Sequence, residues 1–456
     1  MTGNPTRTLV ILGAGGDLTA RLLLPGVGQS LAGRRAAEVQ LIGVGVEEMT
    51  AEQWRERVQT SFATGKVSGE QLDRVVRESV YLQADVTAPA DLERIFAACQ
   101  GIPALYFALP PAVTVAACEA MLGITIPEGT MLAMEKPFGT DLASAQSLNL
   151  LVRRLVPEDR VFRIDHFLGK STVINLLGLR FANRLFEPVW NNQHVERVDI
   201  IFDETLALEA RAGYYDRAGA LTDMIQSHLL LVLALVAMEA PTSVEAEDLR
   251  GAMTQVLRAT TAAGGDPASS SRRARYTAGT VGDRRLVAYA DEKGVDPSRG
   301  TETLAELTVQ IANWRWAGVP FTLRSGKALS GLRKEIQVTF KDVPHLPTGL
   351  SGDAAPEVLR ISLSPDQLEL DINVNGGGDP FELERITLEA TFAEGEMGPY
   401  GEVISGILSD DLTLSLRADE VEQCWRIVEP VLAAWRAGEV PLDEYPAGST
   451  GPASWS

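Results

Sequence analysis

The segment that most narrows the fold is the run TLVIL (8 to 12), followed at once by the glycine-bearing turn GAGGD and an apolar-rich stretch from Leu18 to Leu31. A short β-branched and apolar run reads as a strand, and the stretch after the turn reads as a helix from about Thr19. Further strands are expected at Val39 to Val46, Ser79 to Gln83, Ala104 to Ala108 and Thr130 to Met134, with helices near 51 to 62 and 69 to 77. Alternation of this kind favours a doubly wound parallel sheet, and its first turn is where a dinucleotide pyrophosphate would meet glycine backbone and a helix N-terminus.

After about residue 165 the pattern changes. A long helix is expected around 219 to 239, and 306 to 313, 335 to 341, 357 to 362, 367 to 373 and 383 to 389 alternate like strands, which predicts an antiparallel sheet with helices on one face. The fold class is therefore α/β plus α+β, with a dinucleotide-binding domain at 1–165 and a second domain at 166–456, as a length of 456 residues allows. Stretches 262 to 273 and 343 to 355 read as surface loops, and no internal repeat is present.

A net charge of −20 argues against nucleic acid and anionic membranes as partners. The longest uninterrupted apolar run, Leu229 to Met238, is far shorter than the roughly 20 residues of a bilayer span. MTGNPTRT shows no basic and apolar leader, so the expected location is cytoplasmic. Cys99, Cys118 and Cys424 have no CxxC spacing; they read as buried small hydrophobes, with no disulfide framework and no metal site expected.

Chemistry concentrates in RIDHFLGK (163 to 170), where Asp165, His166 and Lys170 bring a carboxylate, an imidazole and an ammonium within the length of two helical turns. DMIQSH (223 to 228) adds Asp223 and His228. These blocks, with YYDRAGALTDMIQSHLLLVLALVAME (214 to 239) and NWRWAGVPFTLRSGKAL (313 to 329), resemble the glucose-6-phosphate dehydrogenase family. The resemblance extends through LVILGAGGDLTARLLLP, YFALPP, EKPFG, RFANRLFEPVWN and YPAGSTGP in one linear order over nearly the whole chain.

The resemblance implies an oxidoreductase with a Rossmann-like first domain, and a second domain that binds substrate and pairs subunits through its sheet as a homodimer or dimer of dimers. Its substrate would be a sugar phosphate, D-glucose 6-phosphate foremost, and its cofactor NADP or NAD. His228 suits the general base, since imidazole titrates near neutrality and a buried carboxylate can fix its tautomer; the resemblance names Asp165 for that carboxylate. It further implies that His166 and Lys170 hold the phosphate, Glu204 and Asp223 the ring hydroxyls, Lys327 the substrate from the second domain, and Lys136 the place between nicotinamide and sugar. Gly13, Gly15, Gly16, Asp17, Leu18, Glu47, Ala108, Pro110 and Lys136 are the expected cofactor contacts. Asp216 and Arg217 read as structural.

Several positions depart from the family's pattern. Leu18 stands where a bare GxGxxG has its third glycine, although Gly13, Gly16 and Arg21 fit the family's looser spacing. Val46 occupies the place of the arginine that pairs with a 2′-phosphate, and Glu47 and Glu48 follow it. Two readings stand: a carboxylate that accepts from a ribose 2′-hydroxyl and favours NAD, or two glutamates solvated at a helix start. Phe167 replaces a tyrosine, Ser171 an acid, Ser227 an asparagine, and Leu332 a basic residue, with Arg333 one place later. They leave open a different sugar or a catalytically silent nucleotide-binding relative.

Overall fold

In the computed structural model, residues 7–33, 38–209, 212–393 and 395–455 are described. They form two compact units. One comprises Met1–Lys170, Pro241–Gly251 and Gly395–Glu422, the other Ser171–Ala240, Ala252–Glu394 and Gln423–Ser456.

The first unit is built on β1 (Arg7–Leu12), β2 (Val39–Gly45), β3 (Val80–Gln83), β4 (Ile102–Phe107), β5 (Met131–Glu135) and β6 (Val161–Ile164). All six pair in parallel in the order β6-β5-β4-β1-β2-β3, and Ser415–Leu416 adds an antiparallel edge to β6. Every residue of β1 is buried, as a parallel strand covered on both faces requires. Because β1 lies between β2 and β4, the strand order runs outward from it in both directions, and its carboxyl end is the switch point where such sheets bind ligands. The expected strands and helices are present with ends displaced by a residue or two. Helix Ala51–Thr64 starts at a reciprocal cap: Gln53 N donates to Thr50 Oγ1 at 3.2 Å, and Thr50 N donates to Gln53 Oε1 at 2.8 Å.

The second unit carries a ten-stranded mixed sheet. From one edge its strands are Leu383–Thr391, Asp366–Asn375, Val358–Leu363, Arg333–Phe340, β7 (Val195–Asp203), Pro320–Gly326, Leu304–Ile311, Ser271–Thr277 and Leu442–Pro446, with Thr260–Ala262 paired onto Leu304–Ile311. Most neighbours are antiparallel, but β7 runs parallel to Pro320–Gly326, and Ser271–Thr277 parallel to Leu442–Pro446. The expected loop at 262 to 273 is therefore only partly a loop, since Ala262 ends one strand and Ser271–Arg273 begin another.

The helical region Ala212–Ala237 changes character along its length. Ala212–Ala220, broken by a kink at Gly219 where φ is 68°, and Leu230–Ala237 are α-helical, whereas Leu221–Leu229, the segment with Asp223 and His228, is π-wound. By length and composition this stretch is apolar enough to cross a membrane, which the count of uninterrupted apolar residues missed, yet 94% of its most apolar window is buried inside the fold. Cys118 and Cys424 are buried as expected, but Cys99 is half-buried.

Candidate active site

The turn after β1 is shaped by what approaches it. Gly13 has φ of 92°, in the left-handed region, and a Cβ there would lie 2.2 Å from the Ala108 carbonyl oxygen. Ala108 in turn donates from its N–H to Leu12 O at 2.9 Å, so the loop after β4 is laced to β1. Thr19 Oγ1 and the Gly16 N–H both donate to Gly13 O at 3.0 Å, closing the turn from the helix side. A Cβ at Gly15 would meet the Glu47 carboxyl carbon at 3.1 Å, which places that acid against the turn. Tyr81 OH donates to Glu47 O at 2.7 Å and Gln83 Nε2 to Val46 O at 3.0 Å, fixing the loop after β2. The adjoining helix begins only at Ala51, so Glu47 and Glu48 lie ahead of its cap rather than in its first turn. Asp17 and Arg21 form an exposed ion pair at 3.4 Å. Leu18 opens the following helix and Pro110 that of Pro111–Met121. A turn of glycines with no side chains of their own at the switch point, with an acid at the end of β2, fits a dinucleotide.

Elsewhere in the first unit, the strands end in groups suited to a polar ligand. Lys136 follows β5, and its bond to Pro137 is cis. A hollow of 180 Å³ beside it is lined by Leu109, Pro111, Met134, Glu135, Lys136 and Phe138, among others. RIDHFLGK is not helical: β6 ends at Ile164 and consecutive turns follow, with Leu168 N donating to Asp165 O at 3.1 Å and Lys170 N to Phe167 O at 3.1 Å. Phe167 N also donates to Asp165 Oδ1 at 3.0 Å, so the buried acid braces the turn that presents His166. His166 stacks on Tyr400 at 5.7 Å between centroids, and Lys170 Nζ lies 4.3 Å from the Phe167 centroid. The phenylalanine that removes a hydroxyl thus gives Lys170 a ring to rest on.

Sequence reasoning passed over Glu135 and Tyr400. Burial pushes the Glu135 carboxyl up to about 7, although the Tyr106 and Tyr400 hydroxyls hydrogen-bond it and oppose the rise. Neither residue carried a spacing signal, because a single acid at a strand end looks solvated until the tertiary fold buries it.

In the second unit, Glu204 follows β7 and Lys327 follows Pro320–Gly326. Their parallel pairing brings the two ends together: Glu204 N donates to Gly326 O at 2.8 Å, and Lys327 Nζ donates to Glu204 Oε2 at 2.9 Å. Lys334 Nζ reaches the same carboxylate at 3.4 Å, a contact not foreseen. Burial alone would raise the Glu204 carboxyl, but Lys327 and then Lys334 outweigh it and hold it below its ordinary value. Strand alternation turns Arg333 toward Glu335, at 2.7 Å, and Lys334 toward Glu204. Ser171, where the family has an acid, donates to Asp366, as does Thr172 Oγ1 at 3.0 Å.

Asp223 and His228 are 8% and 4% exposed in the π-wound segment, a winding often retained at functional positions. Glu302 caps the start of that segment, accepting from Leu221 N at 3.0 Å. Asp216 is structural, accepting from Tyr289 OH at 2.9 Å and Asp296 N at 3.0 Å.

The motifs RFANRLFEPVWN and NWRWAG hold the far end of the same helix. Arg180 Nη1 donates to Leu235 O at 3.0 Å and Nη2 to Met238 O at 2.8 Å, Trp190 Nε1 to Val236 O at 2.8 Å, and Trp316 Nε1 to Ala237 O at 2.7 Å. Four consecutive buried carbonyls at a helix C-terminus are thereby satisfied by side chains. The larger hollow beside them, 730 Å³, contains none of the residues expected to bind sugar or cofactor.

Residues 10–175 match the family model described as "Glucose-6-phosphate dehydrogenase, NAD binding domain", and residues 177–456 match "Glucose-6-phosphate dehydrogenase, C-terminal domain". The chain belongs to the glucose-6-phosphate dehydrogenase family. It is similar to the glucose-6-phosphate 1-dehydrogenase of Rhizobium meliloti (strain 1021), 36% identical over 467 residues, which covers 97% of this chain and 94% of that protein. Among solved structures of this family, glucose-6-phosphate 1-dehydrogenase from Mycobacterium avium superposes with a TM-score of 0.85 at 31% identity, over 99% of this chain and 96% of that one. A glucose-6-phosphate dehydrogenase solved in complex with glucose-6-phosphate has a TM-score of 0.87 at 28% identity, over 98% and 96% of the two chains.

Proposed function

We propose that the chain oxidises D-glucose 6-phosphate at C1 to 6-phospho-D-glucono-1,5-lactone, the first step of the pentose phosphate pathway. The observation that carries this reading is membership of the glucose-6-phosphate dehydrogenase family through both family models, from residue 10 to residue 456. When bound, NAD or NADP accepts the hydride. His228 takes the proton of the C1 hydroxyl, and Asp165 orients the imidazole and stabilises the cation that forms. His166 and Lys170 hold the phosphate, Glu204 and Asp223 the ring hydroxyls, and Lys327 the substrate beside Glu204. Lys136 meets both sugar and nicotinamide. Gly13, Gly15, Gly16, Asp17, Leu18, Glu47, Ala108 and Pro110 receive the cofactor.

Residues 1–165 are assigned to the cofactor and 166–456 to the sugar and to assembly as a homodimer or dimer of dimers. A cytoplasmic setting accords with three free cysteines. NAD is used at least as well as NADP, a reading supported by Val46 in place of arginine and by the Glu47 carboxylate against Gly15. A second reading, another sugar phosphate or an unphosphorylated sugar, is favoured by Phe167 and Leu332. Absorbance of reduced cofactor, followed with a panel of sugars and with NAD or NADP, tests these points. Glucose 6-phosphate should give the highest kcat/KM, and NADP should not exceed NAD by more than tenfold; reduction with none of the sugars would overturn the proposal.

A further inference from the structure

Arg57 approaches the nucleotide turn from helix Ala51–Thr64. Its Nη2 donates to Gly15 O at 2.7 Å and to Gly16 O at 2.8 Å, so one nitrogen serves both carbonyls. Its Nε is buried without a hydrogen-bond partner. Among the described residues it has no carboxylate within 4.0 Å, in a chain where 61 acidic residues outnumber 41 basic ones. Both its partners are neutral carbonyls, so it makes no direct ion pair at the turn. Glu47 faces the same Gly15 from its α-carbon side.

We propose that Arg57 is a cofactor-specificity residue: its guanidinium takes the 2′-phosphate of NADP, while Glu47 takes the free 2′-hydroxyl of NAD, so that one turn serves both dinucleotides. The inference rests on the reading of this unit as a dinucleotide site and supplies the cation that Val46 does not. A guanidinium is suited to this work because it stays charged, and with Nη2 spent on the turn its Nη1 still offers donors to a phosphate. A purely structural arginine would support both cofactors equally. Arg57 instead distinguishes them.

The test is equilibrium binding of NADH and NADPH to the full chain, read by nicotinamide fluorescence without sugar, so that failure of sugar oxidation leaves it intact. Arg57→Gln should weaken NADPH by about 10- to 100-fold, the effect of losing hydrogen bonds between charged groups, and NADH by less than about threefold. Arg57→Lys should fall between, keeping the charge while its single ammonium must serve both turn and phosphate. Glu47→Gln should weaken NADH and tighten NADPH. On the native protein, added sodium chloride should weaken NADPH more than NADH, a readout that needs no variant. Equal weakening of both cofactors by Arg57→Gln, no change in either, or equal salt sensitivity would overturn the proposal.

Discussion

Trp316→Phe isolates one part of the cage around the C-terminus of helix Leu230–Ala237. The indole N–H donates to Ala237 O at 2.7 Å, and both residues are at most 1% exposed, so water cannot replace the lost donor. An unsatisfied buried carbonyl costs about 1–3 kcal/mol. The smaller ring leaves a void beside Phe321, whose ring meets Trp316 edge-on at 5.1 Å, and adds about 1 kcal/mol. At about 2–4 °C per kcal/mol for a unit of this size, the melting temperature should fall by about 4–16 °C. Differential scanning fluorimetry reads this directly. Trp314→Phe is the matched control, because Trp314 is 98% exposed and should change nothing measurable. Equal shifts for the two variants, or none for Trp316→Phe, would refute the capping argument.

Lys334→Met should raise KM for glucose 6-phosphate by about tenfold with a smaller effect on KM for the cofactor, since it removes one of two cations on Glu204; steady-state kinetics with each substrate varied would expose an error if the two constants moved together. Glu420 gives a pH test. Burial pushes its carboxyl up to about 8, with the Arg417 N–H donating to it at 2.7 Å. The folded state therefore holds a proton that the unfolded state releases near its ordinary value, so stability falls as pH rises from about 4.5 to 8. Glu420→Gln should melt progressively higher relative to the parent as pH is raised through that window, and a pH-independent difference would contradict the assignment.

What could be read in advance followed from local rules. The β1 run and its glycine turn predict the parallel sheet because a strand buried on both faces must be apolar throughout, and β1 is. Alternation likewise exposed five of the ten strands of the second sheet but missed Thr260–Ala262, Ser271–Thr277, Leu442–Pro446, and β7 with Pro320–Gly326, whose parallel pairing is long-range. That pairing is what unites Glu204 with Lys327. Lys334 escaped notice because the choice between residues 333 and 334 depends on register, and a shift of one residue reverses which face a side chain takes. The π winding of Leu221–Leu229 has no sequence signature distinguishable from α-helix, and RIDHFLGK, spaced like helix, is a turn because Asp165 draws the Phe167 N–H to itself. Motifs as conspicuous as NWRW proved to serve a helix end: a tryptophan's role depends on what its N–H meets.

The most direct test is kcat of His228→Asn, measured with saturating glucose 6-phosphate and cofactor alongside binding of the sugar. A positioned base contributes about 10² to 10⁴ in rate, so kcat should fall by that factor while sugar affinity stays largely intact. A variant that keeps more than about a tenth of the parent kcat would show that the proton leaves by another route.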